Sequence, residues 1–168
     1  MTVIGIDQSL TATGIVILDM AGTLLQHETY KPRTFGALRL IEIRNKFAEI
    51  LSNHEPQQIV MEGISYGSVS HIGELGGLFW TLKVLFYESG IPVSVVAPMS
   101  LKKWVLGSGK GEKNEMMRAV YKKWGLELNE HECDAYGLAR IGLAVQGRNG
   151  ELAQYEKEVI KTVMKGTK

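Results

Sequence analysis

The chain opens on Val3-Ile4-Gly5-Ile6-Asp7-Gln8-Ser9-Leu10-Thr11-Ala12-Thr13-Gly14-Ile15-Val16-Ile17-Leu18-Asp19. Val3 to Asp7 is a short apolar run ending in an acid, and Gly14 to Asp19 is another. The polar residues between them fit a tight turn. Ala21-Gly22 then leads into a third stretch, Thr23–Tyr30, with mixed apolar and polar positions. Three short strands joined by tight turns predict an antiparallel meander.

Outward from this meander the pattern changes period. Leu38, Ile41, Phe47, Ile50 and Leu51 recur near the helical repeat with charges between them. Ile59-Val60-Met61 reads as a buried strand ending at Glu62. Ile72 to Tyr87 reads as an apolar helix despite Gly73, Gly76 and Gly77, each of which costs about 1 kcal/mol relative to alanine. Pro92 to Val96 is a further strand, closed by Ala97-Pro98. Helices are expected over Ser100–Leu106 and Lys113–Trp124, with the loop Gly107-Ser108-Gly109-Lys110-Gly111 between them. Asn129 and Glu132 have the spacing of a capping box, so a last helix starts there and stops at Arg148-Asn149-Gly150. The expectation is one α/β domain with a mixed sheet over residues 1–150, followed by a helix or tail over residues 151–168.

Composition narrows the class. The 168 residues are 45% hydrophobic and 22% charged, enough for one sizeable core and too little for two comfortable domains. No apolar run reaches the roughly 18–20 residues of a membrane span, so no membrane association is expected. The amino terminus lacks a secretion-signal layout, and the expected location is cytoplasmic. A single cysteine, Cys133, excludes an internal disulfide framework and a multi-cysteine zinc site.

Net charge is +1, but its distribution is uneven. From Lys102 to Lys123 seven basic residues face two acidic ones, a net of +5 that leaves −4 on the rest. A basic segment beside an acidic pocket is compatible with phosphate binding plus a divalent metal. A solvated helix face has the same composition.

The acids fall in telling places. Asp7 and Glu62 each end an apolar strand, and Asp134 lies in the first turns of a buried helix. A carboxylate on a core element is costly unless hydrogen-bonded, paired or bound to a cation. Hard oxygen ligands with few nitrogens favour Mg²⁺ or Mn²⁺. His131, three residues before Asp134, shares a helix face with it. Helix capping by Glu62, a surface position for His131 and a helix-dipole role for Asp134 are the alternatives that spacing leaves open.

Val3 to Gly14 resembles the opening strand and turn of the RuvC-type Holliday junction resolvases, the crossover junction endodeoxyribonucleases. The likeness continues in order. Ile59-Val60-Met61-Glu62 resembles that family's second acidic strand, and Gly73-Glu74-Leu75-Gly76-Gly77 its glycine-bearing helix. Val95-Val96-Ala97-Pro98, Lys102-Lys103 and Gly107 to Lys113 are similar to its strand, helix and basic loop. His131 to Ala139 is similar to its closing helix.

The resemblance implies a ribonuclease-H-like fold of the retroviral-integrase superfamily, a mixed five-stranded sheet flanked by helices. It also implies a homodimer that cuts four-way DNA junctions with Mg²⁺, Mn²⁺ substituting. By motif position Asp7, Glu62 and Asp134 would be metal-binding acids and His131 the fourth member of the set. Asp7 would bridge two ions, with Glu62 on one side and Asp134 on the other. Relatives carry aspartate or histidine at the fourth place, which leaves direct ligation and leaving-group assistance both open for His131. Lys102, Lys103, Lys110 and Lys113 would hold junction phosphates, with backbone amides of the Gly107–Gly111 loop. Gln8 replaces a proline common after the first aspartate, without expected consequence. Ser65 stands where many relatives carry an aromatic wedge, and Tyr66 beside it is the candidate. The helix over Ile72–Tyr87 matches the subunit contact, with Leu75, Leu78, Phe79, Leu82 and Phe86 as expected apolar area.

Three other readings compete. Gly5-x-Asp7 with Thr11 and Gly14 also resembles the first phosphate loop of actin-like kinases, which need two lobes and a much longer chain. A nuclease of the same fold could act on RNA or other branched DNA. A non-catalytic DNA-binding module would gain nothing from gathered carboxylates.

Overall fold

A computed structural model describes residues 1–64 and 72–166, with Lys113 described in its backbone alone. Strands β1 (Thr2–Asp7), β2 (Thr13–Asp19) and β3 (Leu24–Tyr30) form the expected meander. Then follow α1 (Gly36–Asn53), β4 (Pro56–Glu62), α2 (Ile72–Glu88), β5 (Val93–Val96), α3 (Pro98–Leu106), α4 (Lys113–Trp124), α5 (Glu130–Val145) and α6 (Gln154–Gly166). The sheet order is β3-β2-β1-β4-β5, with β1 antiparallel to β2 and parallel to β4, and β4 parallel to β5. This is the mixed five-stranded sheet expected from the sequence.

Strand alternation divides the core into two layers. Ile4, Ile6, Ile15, Ile17, Ile59 and Met61 pack against α1 and α2 through Ile43, Phe47, Leu78, Leu82 and Phe86. Val3, Val16, Leu18 and Val60 pack against α3 to α6, with α5 at the centre. By the same parity, Asp7 and Glu62 project on the α5 side.

Two glycines bring α5 onto the sheet. A Cβ on Gly5 would collide with the Ala135 carbonyl oxygen and lie 2.5 Å from the Ala139 amide nitrogen. A Cβ on Gly14 would collide with the carbonyl oxygen of His131. Small residues on both partners thus let backbone meet backbone at the strand ends.

Residues 154–166 form a packed helix. Val159, Ile160 and Val163 of α6 enter the core. Lys103 of α3 pairs with Glu158 at 2.6 Å, and Lys123 of α4 pairs with Glu156 at 2.6 Å. No helix among the described residues is long and apolar enough to cross a membrane.

On α2 one sequence expectation is corrected. Leu78, Leu82 and Phe86 are fully buried in the sheet layer and Phe79 nearly so, so they offer no outward apolar area. Trp80, Val84 and Tyr87 are the large apolar residues exposed on that helix.

Candidate active site

Asp7 is the last residue of β1 and Glu62 the last of β4. The two strands run parallel, and their register ends at Ile6 opposite Met61, so the acids lie one step beyond that pair. Gln8 strengthens this junction: its Nε2 donates to the main-chain oxygen of Glu62 at 2.5 Å. The sequence alone gives Gln8 no expected consequence. Only the tertiary register reveals that its amide ties one acid-bearing strand end to the other, and its Oε1 is buried without a partner among the described residues.

The start of α5 supplies the other two groups, His131 in its first turn and Asp134 in its second. Asn129 caps it: Oδ1 accepts from the Glu132 amide at 3.1 Å, and Glu132 Oε2 accepts from the Asn129 amide at 3.3 Å. That turn is also fastened to edge strand β3. Asn129 Nδ2 donates to Thr29 Oγ1 at 2.9 Å, and His27 Nδ1 lies 3.2 Å from Glu132 Oε2. Held in this way, His131 Nδ1 stands 3.0 Å from Asp7 Oδ2.

The electrostatics follow from crowding in a place with little water. Asp7 is buried, and desolvation raises its proton affinity against the opposing pull of His131. Glu62 is pushed up to about 8, first by burial and then by the Asp7 and Asp134 charges. Asp134 is pushed up to about 7, first by burial and then by Asp7 and Glu130. The nearby Asp7 carboxylate adds to burial in favouring the protonated form of Glu62. Four sequence-predicted residues, Asp7, Glu62, His131 and Asp134, are therefore brought into one electrostatic cluster.

This donor set fits a hard divalent cation. Its oxygens are desolvated and mutually repulsive, and a cation relieves both conditions. Among the described residues no three such side chains stand in metal-holding array, and Asp7 meets His131 instead.

The basic residues separate. Lys102 belongs to the site: its charge lowers the proton affinity of Glu62 and Asp134, while its Nζ donates to the Gly111 main-chain oxygen at 2.9 Å. Lys103 instead faces α6 through Glu158. Lys110 is exposed on the loop after α3, and Lys113 opens α4. Ser65 and Tyr66 lie outside the described residues.

The profile of the family "Crossover junction endodeoxyribonuclease RuvC" matches residues 3–140. The chain belongs to that family. A RuvC of Agrobacterium fabrum is 30% identical over 147 residues, covering 82% of this chain and 85% of that protein. One of Pseudothermotoga lettingae is 28% identical over 150 residues, covering 83% of this chain and 90% of that one. Among solved structures, Thermus thermophilus RuvC superposes with a TM-score of 0.72 at 26% identity, covering 90% of this chain and 100% of its own. The same RuvC in complex with Holliday junction substrate gives 0.73 at 26% identity, with 90% and 99% coverage. These neighbours place the sheet and its helices in the ribonuclease-H-like fold.

Proposed function

We propose that this RuvC-family chain is a structure-selective endonuclease that resolves four-way (Holliday) DNA junctions in the cytoplasm by metal-dependent phosphodiester hydrolysis. The observation that carries the reading is the convergence of Asp7, Glu62, Asp134 and His131 at the ends of β1 and β4 beneath α5. The reading is supported by the family match and by the T. thermophilus RuvC structure that holds a Holliday junction substrate.

Asp7, Glu62, Asp134 and His131 would hold two Mg²⁺ ions, Mn²⁺ substituting. When bound, such ions activate a water and neutralise charge on the leaving 3′ oxygen. The chain's own groups prepare the place. Burial excludes bulk water from Asp7, and His131 fixes its carboxylate orientation. Lys102 offsets part of the acidic excess and would hold a junction phosphate beside the acids. Lys110, Lys113 and Lys103 would grip the junction arms, with Tyr66 as the wedge. The nuclease unit spans residues 1–150, with α6 as its buttress.

Two nicks on a symmetric junction require two sites, hence a C₂ homodimer. Trp80, Val84 and Tyr87 on α2 form an exposed stripe, and Lys83 lies over the rings of Trp80 and Tyr87. This stripe is the proposed subunit contact.

Cleavage of four-way, three-way and linear DNA compared in one assay tests the function. Cutting confined to branched substrates, abolished in Asp7→Asn while junction binding persists, is expected. Equal cutting of linear duplex, or full activity in EDTA, would overturn it.

A further inference from the structure

A cleft of about 320 Å³ adjoins the acid cluster on its β3 side and shares His131 as a wall. Its volume lies at the lower end of small-ligand clefts, about 300–1,000 Å³, which is room for one nucleotide unit. Ala12 of the β1–β2 turn, Thr29 of β3 and Glu130 of α5 line it, and Lys31 stands at its rim. Lys31 is exposed, and none of the ion pairs among the described residues includes it. A lone exposed lysine is ordinary. The scaffold beneath this one is not.

Residues 31–34 are fastened by a single carboxylate. Glu42 Oε1 accepts from the Tyr30 hydroxyl and the Arg33 amide, each at 2.9 Å. Glu42 Oε2 accepts from the Thr34 amide at 3.0 Å and the Thr34 hydroxyl at 2.5 Å. Four hydrogen bonds from α1 thus hold the turn that presents Lys31, with exposed Arg33 two residues on. A cation on a fixed turn loses less freedom on gripping an anion than one on a mobile loop. The other basic residue whose charge registers on the acids, Lys102, acts on Glu62 and Asp134, while the cleft touches His131.

Resting on the nuclease reading above, we infer that this cleft seats the nucleotide next to the one cut, with Lys31 gripping its phosphate from the β3 side. The strand being cut then passes from this cleft onto the acid cluster, with Lys31 holding it on the β3 side. Glu130 and His131 form the wall between the neighbouring nucleotide and the acids. The contact is to a backbone phosphate and positions the strand without reading its sequence.

The test uses the full chain and four-way junctions carrying one uncharged methylphosphonate, moved stepwise along the cut strand. Binding is measured in EDTA and cleavage with Mg²⁺. For the wild type, one position adjoining the cleavage site should weaken binding by on the order of tenfold when neutralised. Lys31→Ala should lose a similar factor on the unmodified junction and lose nothing further at that position, while Lys31→Arg keeps the wild-type response. If Lys31→Ala binds as the wild type does, or stays as sensitive as the wild type at every position, the inference is overturned. The junction reading fails separately, if the wild type treats linear duplex and four-way DNA alike. In that case the coupling between Lys31 and one phosphate is read on the linear strand with the same two outcomes.

Discussion

Glu62 and Asp134 hold protons, in the ion-free protein, at pH values where ordinary carboxyls are ionised. Their folded proton affinities are raised to about 8 and about 7, against ordinary values of 4.5 and 3.8. The folded state therefore binds more protons than the unfolded state between those limits, and stability must fall as pH rises through that window. In EDTA, denaturant midpoints should drop steadily from about pH 5 to pH 8, and Glu62→Gln should flatten the decline. Millimolar Mg²⁺ or Mn²⁺ should flatten it as well. A midpoint that climbs over that range in EDTA contradicts the electrostatic account. At this scale the sequence was informative about acids and silent about amides. Acids at the ends of apolar strands are conspicuous, because burial makes them costly. Gln8 is neutral and common at turns, so nothing in the string marked it as a link between strand ends.

Helix α5 sets the geometry of the site, and it does so through absent side chains. Gly5 and Gly14 leave no Cβ between the sheet and the backbone of α5. Gly5→Ala should destabilise the fold by about 1–3 kcal/mol or more, since the colliding atoms are main-chain and cannot rotate away. It should also shift the His131 ring resonances by moving Nδ1 off Asp7. Unchanged stability together with an unchanged His131 spectrum would show that the close approach does not exist. The meander, the mixed sheet and the α5 cap were legible in advance, because short apolar runs between turns and the Asn129–Glu132 spacing are local signals. The outward face of α2 was not. That helix is apolar on nearly every side, so its period does not say whether Leu78 or Trp80 meets the sheet. The packing of α6 was equally hidden, because Val159, Ile160 and Val163 are too few in a charged segment to announce a core face.

At the scale of the molecule, one sheet carries its acids at one edge and an aromatic stripe on the far layer. The stripe of Trp80, Val84 and Tyr87 is exposed, and Phe35, Leu38 and Ile41 near α1 are exposed too. Trp80→Glu should shift sedimentation from dimer to monomer while leaving the thermal midpoint of the domain nearly unchanged, because this ring lies outside both core layers. Cleavage should then stop at single nicks on a four-way junction instead of paired ones. Retained dimers in Trp80→Glu would move the subunit contact elsewhere.

Calorimetric titration of the ion-free chain with Mn²⁺ near pH 7, run in two buffers of different ionisation enthalpy, bears most directly on the gathered carboxylates. The convergence of residues 7, 62 and 134 predicts net release of protons on binding, and loss of both the release and the tight binding in Asp7→Asn. Undiminished binding by Asp7→Asn, or binding by the wild type with no protons released, would contradict it.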